Sequence, residues 1–208
     1  MSFDPVRVQL PKVAQAQETL LFSVSLPKLA IMSLFTFGSY EAFWMLKQWL
    51  HISKITGSRK VPSLIATCWC LSFYLKVYWG NCDVARNLEY ILSWVSWVLL
   101  YCLSYPLFRA IRKEGKKQNL STSLAAGPLA MLWITPLLIG SLAQMPYSLV
   151  ACLSFLPLLP VQKYVNELNL SVDPGCQMND KLSPKNWLAI VAGCGFLLWI
   201  LNHTFHPH

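Results

Sequence analysis

Apolar residues fall into long runs separated by short polar segments, and several runs approach the roughly 20 residues that a helix needs to cross a bilayer. We expect six membrane segments, at about residues 29–46, 61–80, 88–108, 124–143, 146–161 and 186–203. This pattern predicts an all-α, polytopic transmembrane helical bundle. The bundle occupies residues 29–203, after an N-terminal segment over 1–28 and before a short tail over 204–208.

Two of the six runs contain residues that interrupt helices. The first run has Gly38 near its middle, and the fifth run is short and carries Pro157 and Pro160. Glycine and proline kink or end membrane helices where neighbouring protein satisfies the backbone. Each of these two runs is therefore either a full span or a broken, re-entrant segment.

A faint internal similarity relates the same two regions. Residues 34–50 align with 150–166 and place Lys47 against Lys163, and a polar loop, a proline and another apolar run follow in both cases. The pattern suggests a pseudo-twofold bundle in which the two broken segments face each other. Such a geometry creates midplane sites in transporters.

The N-terminal segment carries no pattern of a cleaved secretory signal, because it lacks a basic region followed by an apolar core and a small-residue cleavage site. Its polar AQAQET stretch leads into residues 20–26, which are apolar enough for a short interfacial helix. That helix is one of two open alternatives, the other being irregular structure.

Composition agrees with a membrane protein. Hydrophobic residues make up 55% of the chain and charged residues only 12%, about half of the roughly 25% usual in soluble domains. With six segments and both termini outside, the cytoplasmic loops 47–60, 109–120 and 162–185 hold 12 of the 17 Lys and Arg residues. This is the asymmetry of the positive-inside rule. The net charge of +8 therefore favours a membrane orientation signal over nucleic-acid binding.

The stretch LFTFGSYEAFWMLKQW, residues 34–49, carries the first candidate site. An ionised carboxylate in hydrocarbon costs roughly 2.5 to 3.5 kcal/mol on insertion scales. We therefore expect Glu41 to face protein, water or a cation, or to be protonated. Tyr40 and Trp44 are its candidate neighbours. Its candidate counterpart is Lys76 or a polar group such as Gln144, while a purely structural helix is the simpler alternative.

A basic cluster follows the third run. Such clusters set topology or contact lipid headgroups, and the candidate headgroup contacts are Arg109, Arg112, Lys113, Lys116 and Lys117. The seven cysteines are scattered, apart from the pair Cys68 and Cys70, and behave as small hydrophobic residues. We expect no metal and no cofactor. Since motifs of hydrolases and phosphate-binding loops are missing too, the sequence argues against an enzyme.

The pattern F-x-F-G-x-Y-E-x-x-W-x-x-K-x-W at residues 35–49 resembles small bacterial membrane proteins of unknown function related to the DUF4234-type families. The stretch SFLPLLPVQ at 154–162, followed by Asn166, Glu167, Leu168 and Asn169, is similar to that group too. The resemblance implies a multi-pass protein of the bacterial inner membrane. It implies no activity and no catalytic residue.

Two functions follow from these patterns. The first is a non-enzymatic integral membrane protein that binds, protects or assembles another membrane component, which is either a different protein or a second copy. The alternative is a small ion or solute transporter or channel that uses Glu41. A conducting pathway needs more polar residues inside the runs than the sequence offers, so the binding protein is favoured.

Overall fold

The computed structural model describes residues 20–57, 102–121, 123–142 and 147–205, and its regular elements there are all helical. They are α1 (Leu26–Phe35), α2 (Ser39–Thr56), α3 (102–117), α4 (Ala126–Leu142), a 3-10 helix (Tyr147–Leu153), α5 (Leu158–Val172) and α6 (Pro184–Phe205). One isolated bridge joins Val24 to Asn179. The all-α class is thus confirmed for this part of the chain. The predicted segment 61–80 and most of 88–108 lie outside it.

The first predicted segment is interrupted at Gly38. Helix α1 ends at Phe35, and Phe37 and Gly38 have φ angles of 50° and 81°. These are left-handed conformations, which glycine adopts without strain and phenylalanine rarely does. The chain reverses direction here, which brings Phe22, before α1, within hydrogen-bonding distance of Gln48 in α2. Residues 29–46 are therefore not one continuous helix.

The fifth predicted segment is interrupted as well. Its 3-10 helix ends at Leu153, turns follow over 154–157, and α5 begins at Leu158. Pro160 lies in the first turn of α5, where a backbone N–H has no intrahelical acceptor and proline is tolerated. Both interruptions that the glycine and the prolines made possible are thus present.

One open alternative is decided and two local predictions need correction. Residues 20–25 are not helical, and α1 begins only at Leu26, so the N-terminal segment is irregular here. Helix α3 continues to residue 117, so the basic cluster lies on a helix and not in a loop. The predicted loop 162–185 begins as helix α5, and only 173–183 is irregular. In α5, the apolar residues Leu158, Val161, Val165 and Leu168 recur at helical spacing and are buried. Their burial stabilises the helix.

Helix α1 lies among the other elements, in contact with α2, α5, α6 and the 3-10 helix. The core is aromatic and aliphatic, and Trp44, Phe108 and Leu29 are among its fully buried side chains. The rings of Trp44 and Phe108 meet edge to face, with centroids 6.4 Å apart. This contact connects α2 to α3.

Helix α6 packs against the C-terminal end of α1 through a glycine. A Cβ atom built on Gly193 would overlap the carbonyl oxygen of Phe35 and lie 2.8 Å from its carbonyl carbon. Next to this contact, the rings of Phe37 and Phe196 form an edge-to-face pair with centroids 5.3 Å apart. Only a residue without a side chain permits the two backbones to approach this closely.

By length and composition, one described stretch is long and apolar enough to cross a membrane, namely Leu149–Val172. It includes the turns at 154–157. The shorter apolar helices are Leu26–Phe35 and Ala126–Gly140. The arrangement of six membrane segments therefore stays a prediction.

Candidate functional site

Glu41 lies in the first turn of α2, and its side chain is only 2% exposed. One carboxylate oxygen accepts a hydrogen bond from the indole N–H of Trp133 on α4, at 2.5 Å. The other oxygen accepts a hydrogen bond from the hydroxyl group of Ser154, at 2.7 Å. A carboxylate in the first turn also interacts favourably with the helix dipole. Glu41 thus joins α2 to α4 and to the turn before α5.

Glu41 faces protein groups, one of the environments that the sequence left open. Tyr40 and Trp44 are buried beside it on α2, but neither has a hydrogen bond to the carboxylate. The indole N–H of Trp44 donates instead to Gln162 on α5, and the ring of Tyr40 lies against Phe43. The proposed counterparts Lys76 and Gln144 lie outside the described residues.

The two interrupted segments meet at this carboxylate. Glu41 follows the turn at Gly38, and Ser154 opens the turn between the 3-10 helix and α5. Their hydrogen bond spans 113 positions of sequence. This hydrogen bond supports the prediction that the two broken segments face each other. The internal repeat itself stays a prediction.

A second polar cluster, missed by the sequence analysis, holds residues 20–25, which we call the strap. Asn169 of α5 binds the main chain of Leu21 twice: its amide oxygen accepts the Leu21 N–H at 2.9 Å, and its amide nitrogen donates to the Leu21 carbonyl at 2.9 Å. Gln48 of α2 does the same for Phe22, at 3.2 and 2.9 Å. Each amide side chain therefore replaces the partner that a neighbouring strand would offer.

Two further amides complete this cluster. Asn166 donates to the carbonyl of Val24 at 3.0 Å, and its oxygen accepts from Gln162 at 2.7 Å. Gln162 in turn accepts from Trp44. We call Gln48, Gln162, Asn166 and Asn169 the amide clamp; all four are buried. Buried backbone groups are costly without partners, so the clamp is what allows an extended segment to lie inside the protein.

Both ends of the strap have additional contacts. His51 Nδ1 lies 2.6 Å from the carbonyl oxygen of Leu20. Beyond the strap, the buried ammonium of Lys28 donates to Asn179 Oδ1 at 2.7 Å and to the Lys181 carbonyl at 2.6 Å. Burial lowers the pKa of Lys28, and the nearby carboxylate of Asp180 opposes that shift. The strap itself is fixed to α2 and α5, and its last residue, Ser25, donates its N–H to the Asn179 carbonyl in the loop before α6, at 3.4 Å.

A signal for the clamp was present in the sequence. Gln162, Asn166 and Asn169 have the spacing i, i+4, i+7, which places them on one face of a helix, and α5 buries all three. Predicting a polar loop over these residues concealed that face. The partner segment could not be found in this way, because it lies more than 140 positions earlier in the chain.

The described residues contain no group of three or more His, Cys, Asp or Glu side chains placed to hold a metal ion. The chemistry that these clusters offer is hydrogen bonding to main chain and to one carboxylate. They fix elements relative to one another.

No protein-family model matches the chain. Comparison with curated proteins and with solved structures found no match either. The resemblance to small bacterial membrane proteins of unknown function therefore stays a prediction.

Proposed function

We propose that this chain is a non-enzymatic, multi-pass membrane protein whose outward apolar helix faces bind another membrane component. The observation that supports it most is the surface of α6. Large apolar side chains there are more than half exposed, namely Trp187, Leu188, Val191, Leu198 and Trp199. An apolar surface of this kind on a soluble monomer would promote aggregation, whereas it is expected where lipid or another protein covers it.

Helix α4 adds a second apolar surface. Met131 and Leu132 are more than half exposed and Ile139 nearly so. The opposite side of α4 is buried, with Ala130 and Trp133 in the core. Each helix therefore has an inward face that packs and an outward face that is equally apolar, the arrangement favoured in lipid.

The geometry of Glu41 supports binding over transport. A carboxylate that carries an ion has to be reached by that ion and to release it. Both oxygens of Glu41 instead accept hydrogen bonds from fixed protein donors, Trp133 and Ser154, and the side chain is buried. Its role is to hold three elements together, and the transporter stays the alternative.

The first test is extraction of membranes with alkaline carbonate. An integral protein stays in the membrane pellet, and release of the chain into the supernatant would contradict the membrane part of the proposal. The apolar faces are then probed by replacing Leu188 or Trp199 with a photo-crosslinking amino acid. The matched control carries the same probe at Lys163, which is exposed on α5.

Irradiation in cells should give a discrete protein adduct from the α6 probes and none from the probe at Lys163. Mass spectrometry of the adduct identifies either a different membrane protein or a second copy. Adducts with lipid alone from every α6 probe would contradict the binding part of the proposal and leave membrane integration in place.

A further inference from the structure

The C-terminal half of α3 carries a basic face, formed by Arg109, Arg112, Lys113, Lys116 and Lys117. At 100° per residue these five positions occupy an arc of about 140° on one side of the helix. Four of the side chains are exposed and that of Arg112 is half-buried. A regular helix thus holds the charges that the sequence placed in a loop.

The opposite side of α3 is buried. Leu107, Phe108 and Ile111 have no solvent exposure, and Leu103 has almost none. Gly115 also lies on this side, against the hydroxyl end of Tyr164 on α5. Since the packed side of α3 fixes its rotation, the basic face has a defined direction outward.

The charges of the basic face differ in their neighbours. Lys117 binds the carboxylate of Glu114 one turn earlier, at 2.7 and 3.0 Å. Arg112 lies near Tyr164, which also has Glu167 close by. Arg109, Lys113 and Lys116 are exposed as well, at spacings of four and three residues. They present three positive charges within two turns.

Along α3, the residues on the exposed side change from uncharged to basic. The first described turn of α3 exposes Cys102 and Tyr105, and the basic residues begin at Arg109. A tyrosine followed by Lys and Arg is the order found where a helix leaves hydrocarbon and enters the headgroup layer. In a bilayer, this order would place the cations at the depth of the lipid phosphates.

We propose that Arg109, Lys113 and Lys116 form a binding site for the phosphate of an anionic phospholipid. Arg donates paired hydrogen bonds to phosphate oxygens and Lys provides a compact positive charge. Each basic residue close to an anionic surface contributes about fivefold to binding. The inference rests on the proposed function, because a membrane location brings the ligand to this face.

The test is native mass spectrometry of the detergent-purified full chain with phosphatidylglycerol, and with phosphatidylcholine of the same acyl chains. The variant combines Arg109→Gln, Lys113→Gln and Lys116→Gln. A control with the same charge change combines Lys54→Gln, Lys163→Gln and Lys185→Gln, all exposed elsewhere. A third variant, Lys113→Arg with Lys116→Arg, keeps the charge.

The wild type should prefer phosphatidylglycerol, and the first variant should lose at least about tenfold in affinity. The control and the arginine variant should stay within about twofold. Equal losses in the first variant and the control would show attraction by net charge alone and overturn the site. Equal binding of both lipids would overturn it too, as would displacement of the lipid by millimolar inorganic phosphate.

The thermal unfolding of each variant is measured beside the affinities. If the triple variant does not fold, the single variant Lys113→Gln is used instead. We expect it to bind phosphatidylglycerol about fivefold more weakly. Unchanged affinity would contradict the site. Binding in detergent does not depend on membrane integration, which alkaline extraction tests separately. Failure of the lipid site and failure of the proposed function are therefore distinguishable.

Discussion

The side chain of Asn169 pairs with Leu21 as a neighbouring β-strand would, accepting from its N–H and donating to its carbonyl, both at 2.9 Å. Among the described residues, the partner of the Leu21 main chain is this side chain and not a neighbouring strand. Main-chain groups of an extended segment need partners wherever water is excluded, and in lipid this need is strictest. Amide side chains on two helices provide these partners, so a partly buried extended segment lies among the described helices.

Replacing Asn169 by Leu should remove both of these bonds while keeping the branched shape of the side chain. A buried donor and a buried acceptor would lose their partners, at about 1–3 kcal/mol each. We expect a loss of about 2–6 kcal/mol in unfolding free energy and faster hydrogen exchange at the Leu21 amide. The control is Asn202→Leu, on an exposed position of α6. Unchanged exchange at Leu21 would show that the clamp does not hold the strap.

The Glu41→Gln variant tests whether the buried carboxylate has a partner beyond Trp133 and Ser154. A glutamine oxygen can accept from the Trp133 N–H, and its amide can donate to the Ser154 hydroxyl. We expect a stability change below about 1.5 kcal/mol, against about 2–5 kcal/mol for Glu41→Leu, which leaves both donors unpaired. A loss above about 3 kcal/mol in the Gln variant would reveal a buried cation paired with Glu41.

Two glycines on α6 give a matched pair for the contact with α1. A Cβ on Gly195 meets no atom within 4 Å, while one on Gly193 overlaps the backbone of Phe35. We expect Gly195→Ala to stabilise by up to about 1 kcal/mol through helix propensity. Gly193→Ala should destabilise, because overpacking costs about 1–3 kcal/mol. Thermal unfolding in detergent compares them, and equal shifts would contradict the close approach.

Stability should fall on acidification because of His51. Burial lowers its pKa below the ordinary 6.5, the hydrogen bond with Leu20 opposes this, and Lys54 and Lys47 lower it further. The unfolded chain therefore binds the proton more readily than the folded one. The contribution of His51 is complete above pH 6.5 and is lost as the pH falls toward its lowered pKa.

The measurement for His51 is the unfolding midpoint between pH 7.5 and 5, compared with His51→Gln. Glutamine can still donate to the Leu20 carbonyl but does not titrate. The variant should show a flatter profile over this range. Identical profiles would mean that other groups cause the acid sensitivity.

Periodic and compositional signals predicted part of the fold. The apolar runs 124–143 and 186–203 correspond to α4 and α6, with ends displaced by one or two residues. Gly38, Pro157 and Pro160 marked the two interruptions, because their backbone preferences are local properties. Protein groups were one of the environments predicted for Glu41, beside water, a cation and protonation.

The partners themselves could not be predicted. Trp133 and Ser154 are 92 and 113 positions from Glu41, and nothing in their own surroundings in the sequence indicates a carboxylate. The strap reads as an apolar stretch whose periodicity fits a helix or an extended chain equally well. Its conformation is decided by Gln48, Asn166 and Asn169, and hence by tertiary contacts that override local preference.

The clamp also sets an order of events during synthesis. Leu21 is made 148 residues before Asn169, and at roughly 5–20 residues per second the interval is about 7–30 s. Throughout that time the main chain of the strap lacks the α5 side of its binding site. A nascent chain arrested before residue 158 should therefore expose the strap to protease, and release of the complete chain should protect it. The N-terminal part of this protein therefore completes its folding only after its C-terminal part has been synthesised.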